Sequence, residues 1–186
     1  MALLTAWSGA APAHRLSRIA TPEHYDIHLS PDFTTDTFGG QVTIREQLAE
    51  EARSIALNAS AIDFHDATIT AGGTRQAATV TLDEQKETAT LTVPRPVPDG
   101  PAVIAIRYTG RLNDQLRGFY LSRANNREYA ITQLEPTDAR RAFPSFDEPA
   151  MKATFAMTAT IDASDTAISN GRLLSDTPGP GVGKHT

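Results

Sequence analysis

Residues 133–149 read QLEPTDARRAFPSFDEP and crowd four carboxylates, Glu135, Asp138, Asp147 and Glu148, against two guanidinium groups, Arg140 and Arg141. Two carboxyl groups about 5 Å apart suit a retaining glycoside hydrolase, and Glu135 with Asp147 or Glu148 supplies the residue types. Asp147 and Glu148 cannot serve one site together if the backbone there is extended, because successive side chains then face opposite ways. The same residues also suit a structural role. Arg140 and Arg141 can pair with Asp138, Asp147 or Glu148 and pin an irregular segment whose path Pro136, Pro144 and Pro149 keep out of helix and sheet. Residue types alone leave both readings open.

Other chemistry is sparse. His24 and His28 have the i, i+4 spacing that lets two imidazoles share a zinc on a helix, but HYDIHLSP alternates as a strand. On a strand that spacing separates the side chains by roughly 13 Å, too far for one metal ion. His14, His65 and His185 stand without a carboxylate at ligand spacing, so no metal site is expected on this chain. With no cysteine there is no thiolate nucleophile and no disulfide. No Ser-His-Asp arrangement, G-x-S-x-G elbow or phosphate-binding glycine loop is present.

Seventeen basic against 22 acidic residues give a formal charge of -5, and no basic run interleaves with aromatics, which excludes an extended nucleic-acid surface. A 40% hydrophobic content in 186 residues suits a soluble globular domain. No stretch approaches the run of about 20 apolar residues that spans a bilayer as a helix. MALLTAWSGAAPAH (1–14) reads as a leader or signal-peptide remnant, with Ala11-Pro12-Ala13 suiting the cleavage site although a basic start is lacking. It points to a periplasmic or secreted protein, with a cytoplasmic one as the alternative.

The elements that must position the acidic segment follow a period of two. Tyr25, Ile27 and Leu29 share one face of HYDIHLSP; Val42, Ile44 and, after a polar pair, Leu48 share one face of QVTIREQL; Ile104, Ile106 and Tyr108 share one face of AVIAIRYTG, opposite Val103 and Ala105. SIALNA, a hairpin turning near Asp83 to Glu87, EYAITQLE, ATFAMTATID and TAISNGR continue the series. Turn signals at Gly39-Gly40, Gly72-Gly73, Pro98-Asp99-Gly100 and Asn170-Gly171 break it at short intervals. The expectation is an all-β, antiparallel β-sandwich spanning 15–186. The Gly/Pro ending DTPGPGVGKHT is expected to leave an unpaired edge over 165–186, as in an incomplete domain cut from a longer chain.

TQLEPTDARRAFPSFDEPAMKATF (132–155) closely resembles the signature T-Q-x-E-x-T-D-A-R-R-x-F-P-C-F-D-E-P-x-x-K-A-x-F near the end of the N-terminal domain in the aminopeptidase N family of zinc metallopeptidases. The resemblance continues, in family order, through PEHYDIHLSPDFTTDTFGGQVTI, IALNAS, IRYTGRLNDQLRGFYLS and TAISNGRLLSD. Ser145 stands where cysteine is common. The G-x-M-E-N loop and H-E-x-x-H zinc helix of the family's next domain do not occur.

What the resemblance implies is a saddle-like β-sandwich that caps a thermolysin-like catalytic domain, with Glu135 binding the free α-amino group of a peptide substrate and Gln133 lining the first specificity pocket. Arg140, Asp147 and Glu148 then become loop scaffold. No catalytic residue falls on this chain, zinc belongs to the parent's catalytic domain, and the fragment is inactive alone. The partners implied are the substrate N-terminus and, intramolecularly, the catalytic domain. The alternative is a free-standing β-sandwich interaction module without peptidase activity.

Overall fold

The computed structural model describes residues 15–186; the leader expected at 1–14 lies outside them. Thirteen strands and one 3₁₀ turn are found among the described residues: β1 (Ala20–Asp32), β2 (Thr37–Leu48), β3 (Ala52–Asn58), β4 (Ile62–Ala71), β5 (Thr74–Ala77), β6 (Thr79–Asp83), β7 (Thr88–Val97), β8 (Gly100–Arg111), β9 (Gly118–Ala124), β10 (Arg127–Gln133), the 3₁₀ turn Ala139–Arg141, then β11 (Thr154–Ala159), β12 (Ile161–Asp162) and β13 (Lys184–His185). A six-stranded sheet in the order β11-β1-β2-β8-β4-β5 and a three-stranded sheet β3-β7-β6 form the sandwich, with β9-β10 and β12-β13 as separate ribbons.

The alternation read from sequence sets the core. Tyr25, Ile27 and Leu29 of β1, Val42, Ile44 and Leu48 of β2, and Ile104, Ile106 and Tyr108 of β8 are buried with Ile55 and Leu57 of β3 and Leu91 and Val93 of β7 in one cluster. Each such side chain contributes roughly 1.5–3 kcal/mol by leaving water, and a register slip of one residue would turn every one outward. Pairing is antiparallel except at the edge, where β11 runs parallel to β1 with Tyr25 beside Phe155 and Ile27 beside Met157. Phe155 stacks on Tyr25 at 5.0 Å between ring centroids. It remains more than half exposed, because the core side of the sheet runs out at β11.

Three local expectations are corrected. Gly39-Gly40 is not a turn but lies inside β2. A Cβ at Gly40 would fall 2.2 Å from the Tyr108 ring, so the glycine there makes room for an aromatic on the neighbouring strand. TAISNGR forms no strand: residues 166–172 are exposed and without regular structure, since their apolar side chains face no second layer. The edge expected to be unpaired over 165–186 has partners at its end, where β13 pairs with β12 and Thr186 with Thr177.

One core position breaks the pattern. Glu46 continues the inward face of β2 after Val42 and Ile44, 1% exposed, and neither carboxylate oxygen finds a hydrogen-bond partner among the described residues. Burial pushes its pKa up from 4.5 to about 8, so at neutral pH the group is held mostly as the neutral acid. A folded-state pKa above the unfolded one means that the native state holds the proton longer. Stability should therefore fall as pH rises between about 4.5 and 8, by up to about 1.4 kcal/mol per pH unit. Urea melts of wild type and Glu46→Gln at several pH values check this. The slope should be present in the first and absent in the second, and parallel pH profiles would show that Glu46 does not titrate in this range.

Candidate functional site

The hairpin of β9 and β10 delivers the segment singled out above. Gln133 ends β10 opposite Gly118 of β9. From there exposure alternates: Gln133 is exposed, Leu134 is tucked partly onto the core and Glu135 is exposed. The Glu135–Pro136 peptide is cis. The Asp138 amide then donates to the Leu134 carbonyl at 2.9 Å and closes the chain around Glu135, Pro136 and Thr137. The 3₁₀ turn Ala139–Arg141 follows directly.

After that turn the chain goes inward. Ala142, Phe143, Pro144, Ser145 and Phe146 are all buried without belonging to a strand, so their backbone groups need partners from elsewhere. Asn58 at the end of β3 exchanges two backbone bonds with Ser145, at 2.8 and 3.0 Å. Its side-chain oxygen accepts the Asp147 amide at 3.2 Å. The Tyr108 hydroxyl donates to the Ala142 carbonyl at 3.0 Å, and the Tyr25 hydroxyl accepts the Phe146 amide at 3.1 Å. Both phenols are buried, which pushes their pKa values far up and keeps them protonated. Phe143 packs edge-on against Tyr25 at 6.2 Å. Ser145 Oγ finds no partner among the described residues. A thiol, the weaker donor, would lose less by burial there.

Charge fixes the outer part. Asp138, its side chain 4% exposed, accepts Arg117 Nε at 3.1 Å and Arg141 Nε at 3.0 Å. Burial pushes its pKa up, but the hydrogen bonds from the two arginines and their charges outweigh this and hold it below the usual carboxylate value. Arg140 Nε meets Asp147 at 2.9 Å and its Nη1 meets Glu87 at 3.2 Å, while Arg141 Nη2 reaches the other Glu87 oxygen. Glu148 accepts the Leu16 amide. Asp147 and Glu148 are thus engaged by the protein itself, so the pair does not form an open two-carboxylate site. Glu135, by contrast, makes no hydrogen bond or ion pair among the described residues, and Gln133 is exposed beside it.

Sequence reasoning missed Glu87, Arg117, Asn58 and Gly118 as parts of this site. Gly118 has φ +67°, and a Cβ there would fall 2.5 Å from Arg141 Cβ, so a glycine lets the 3₁₀ turn sit against β9. The only textual signals are the glycine after Arg117 and the LNAS stretch; the pairing of Glu87 with residues 53 and 54 positions later has no local signature. The histidines do not assemble. His24 lies against Thr154 and Asp26, His28 against Thr160, and no group of three His, Asp or Glu side chains that could hold a metal ion exists among the described residues. These residues therefore do not fit a zinc site.

The profile of the Peptidase M1 N-terminal domain matches residues 21–182, and the chain belongs to the Peptidase M1 family. It is 36% identical over 171 residues to Aminopeptidase M1 of Arabidopsis thaliana, covering 87% of this chain and 20% of that protein. It is 40% identical over 167 residues to the Alanine/arginine aminopeptidase of Saccharomyces cerevisiae, covering 84% and 19%. Against Aminopeptidase 2, mitochondrial, of the same yeast it is 38% identical, covering 80% and 16%. The chain spans between about a sixth and a fifth of the length of these relatives. They overturn the periplasmic or secreted expectation: one is mitochondrial by name, an intracellular compartment, and the cytoplasmic alternative agrees better with such relatives.

Asp138→Asn tests the buried charge cluster. It leaves half-exposed Arg117 without its counter-ion and Arg141 with Glu87 alone, around a buried side chain that has lost its charge, and should cost roughly 1–3 kcal/mol, more than the same change at half-exposed Asp26. Because the folded pKa is lowered, the advantage of wild type is present above the ordinary value of 3.8 and is lost as pH falls further, through the folded pKa. Thermal melts of both variants at pH 7 and pH 3 read the difference. Equal losses at Asp138 and Asp26 would show that the cluster is not a stabilising unit.

Proposed function

We propose that this chain is the amine-recognising N-terminal domain of a zinc metallo-aminopeptidase that removes N-terminal residues from peptides. Glu135 binds the substrate's α-ammonium, and Gln133 lines the pocket for its first side chain. The observation that carries the reading is that Glu135 alone among the acids of residues 133–149 has no internal partner among the described residues, on a loop whose other charged side chains are engaged. A terminal ammonium with a pKa of about 8 is mostly charged at neutral pH, and a fixed carboxylate gives it a short charge-assisted hydrogen bond that an internal peptide bond cannot use. That preference makes a peptidase act from the chain end.

Two further points support the assignment. The relatives are aminopeptidases by name, one of them for alanine and arginine. Exposed Tyr129 and Ile131 lie on β10 just before Gln133, an apolar approach suited to packing against the catalytic domain that lies beyond the part shared with this chain. On this reading zinc would be held by that catalytic domain and, when bound, would supply activation of water and polarisation of the scissile carbonyl; the domain described here would supply orientation through Gln133 and Glu135. Arg140, Asp147 and Glu148 serve as scaffold.

In the full-length aminopeptidase carrying this domain, Glu135→Gln or Glu135→Ala should lower kcat/KM for substrates with a free N-terminus roughly ten- to a hundredfold, the scale of one hydrogen bond to a charged group. Affinity for N-acetylated inhibitors, which lack the charge, should barely change. Unchanged kcat/KM in folded Glu135→Ala protein would remove the amine-binding role.

A further inference from the structure

Glu87 sits at the end of the β6–β7 turn, in the smaller sheet, while Glu135 follows β10 of a separate ribbon. Its two oxygens take different arginines: Oε2 accepts Arg140 Nη1 at 3.2 Å and Oε1 accepts Arg141 Nη2. Ser60 Oγ donates to Oε1 at 3.1 Å, and the Glu87 carbonyl accepts the Ala59 amide at 2.9 Å, so the carboxylate is itself held in place. The Ser60 amide in turn donates to the Arg140 carbonyl at 3.0 Å.

Adjacent side chains on a 3₁₀ turn leave its axis about 120° apart. One tether to such a turn fixes a point on it; two tethers from neighbouring residues to a single carboxylate also fix its rotation about the axis. That rotation is passed on through Asp138, which accepts Arg141 Nε and whose amide holds the Leu134 carbonyl, directly before Glu135. Removing Glu87 leaves Arg140 bound to Asp147 and Arg141 bound to Asp138, both within the loop, and leaves the backbone ties of the segment to Asn58 and Ser60; what it takes away is the tie between the two guanidinium groups and the β6–β7 turn.

We propose that Glu87 is a positioning residue for Glu135: by gathering Arg140 and Arg141 on one carboxylate, it sets the orientation in which the loop presents Glu135 to the substrate amine. The inference rests on the amine-binding role of Glu135. An ion pair that only stabilised the fold would act on every substrate and in every background alike, whereas a positioning residue acts only while Glu135 is present.

The test is a double-mutant cycle in the full-length aminopeptidase, read at a temperature well below each variant's Tm. Glu87→Gln should lower kcat/KM for a free-amine alanyl substrate about three- to tenfold, through misplacement rather than loss of the binding group. In the Glu135→Ala background the same change should have no further effect, and affinity for an N-acetylated inhibitor should not change in either. Should Glu87→Gln fail to fold, Arg141→Gln, which cuts one of the two tethers together with the Asp138 contact and spares the Arg140–Asp147 pair, should give a loss at least as large with the same dependence on Glu135. Equal fold-losses with and without Glu135, or full activity after either change, would overturn the proposal while leaving the amine-binding reading intact. A silent Glu135→Ala would remove both.

Discussion

Everything at the candidate site depends on burying Ala142 to Phe146 beside β3. Five residues outside any strand carry backbone polar groups into a place without water, and each unpaired group would cost about 1–3 kcal/mol. The fold meets that constraint with borrowed partners: Asn58 lends a strand-like exchange, and Tyr25 and Tyr108 each lend a hydroxyl from the larger sheet. These anchors reach the segment from both sheets, so it cannot shift without disturbing the sandwich core. The chain just before it inherits that rigidity. This is how Gln133 and Glu135 come to be exposed without being loose.

The dependence runs back into the sheet. Tyr108 can lie flat across β2 only because Gly40 has no Cβ, and from that position its hydroxyl reaches Ala142. A glycine that reads in sequence as a turn is therefore, in the folded protein, an indirect part of the loop's support. Gly118 plays the matching role on the other side, where its missing side chain admits Arg141 and with it the ion pairs to Asp138 and Glu87. Both glycines mark close approach between elements rather than reversal of the chain.

The fold was legible because its signal is local: alternation at Tyr25, Ile27 and Leu29 needs no knowledge of the partner strand to predict which side is buried. The exceptions are places where tertiary context overrode the local pattern. Glu46 occupies an inward position that the polar residue type argued against, and TAISNGR has the residue types of a strand but no layer to cover it. At the site, the acidic and basic residues were visible as a cluster, and the resemblance offered roles for them. Their pairing was not legible, since Glu87 and Arg117 come from turns distant in sequence. Alternation carries no information about which carboxylate meets which guanidinium.

That pairing pattern also explains why a loop rich in both charges can still offer a free carboxylate. Four acids and two arginines in a short segment would, if mobile, neutralise one another in many arrangements, and Glu135 would compete with Asp138 and Asp147 for the same cations. Here the choice is already made. Arg141 and Arg117 converge on Asp138, Arg140 joins Asp147 to Glu87, and Glu148 holds a backbone amide. The arginine contacts use cationic donors for which Glu135 would otherwise compete. On the amine-binding reading proposed above, an arriving ammonium would displace no internal partner, so the cost of rearranging the site before binding would be low, which is the physical content of preorganisation. On that reading the scaffold acids would serve recognition by keeping the arginines occupied.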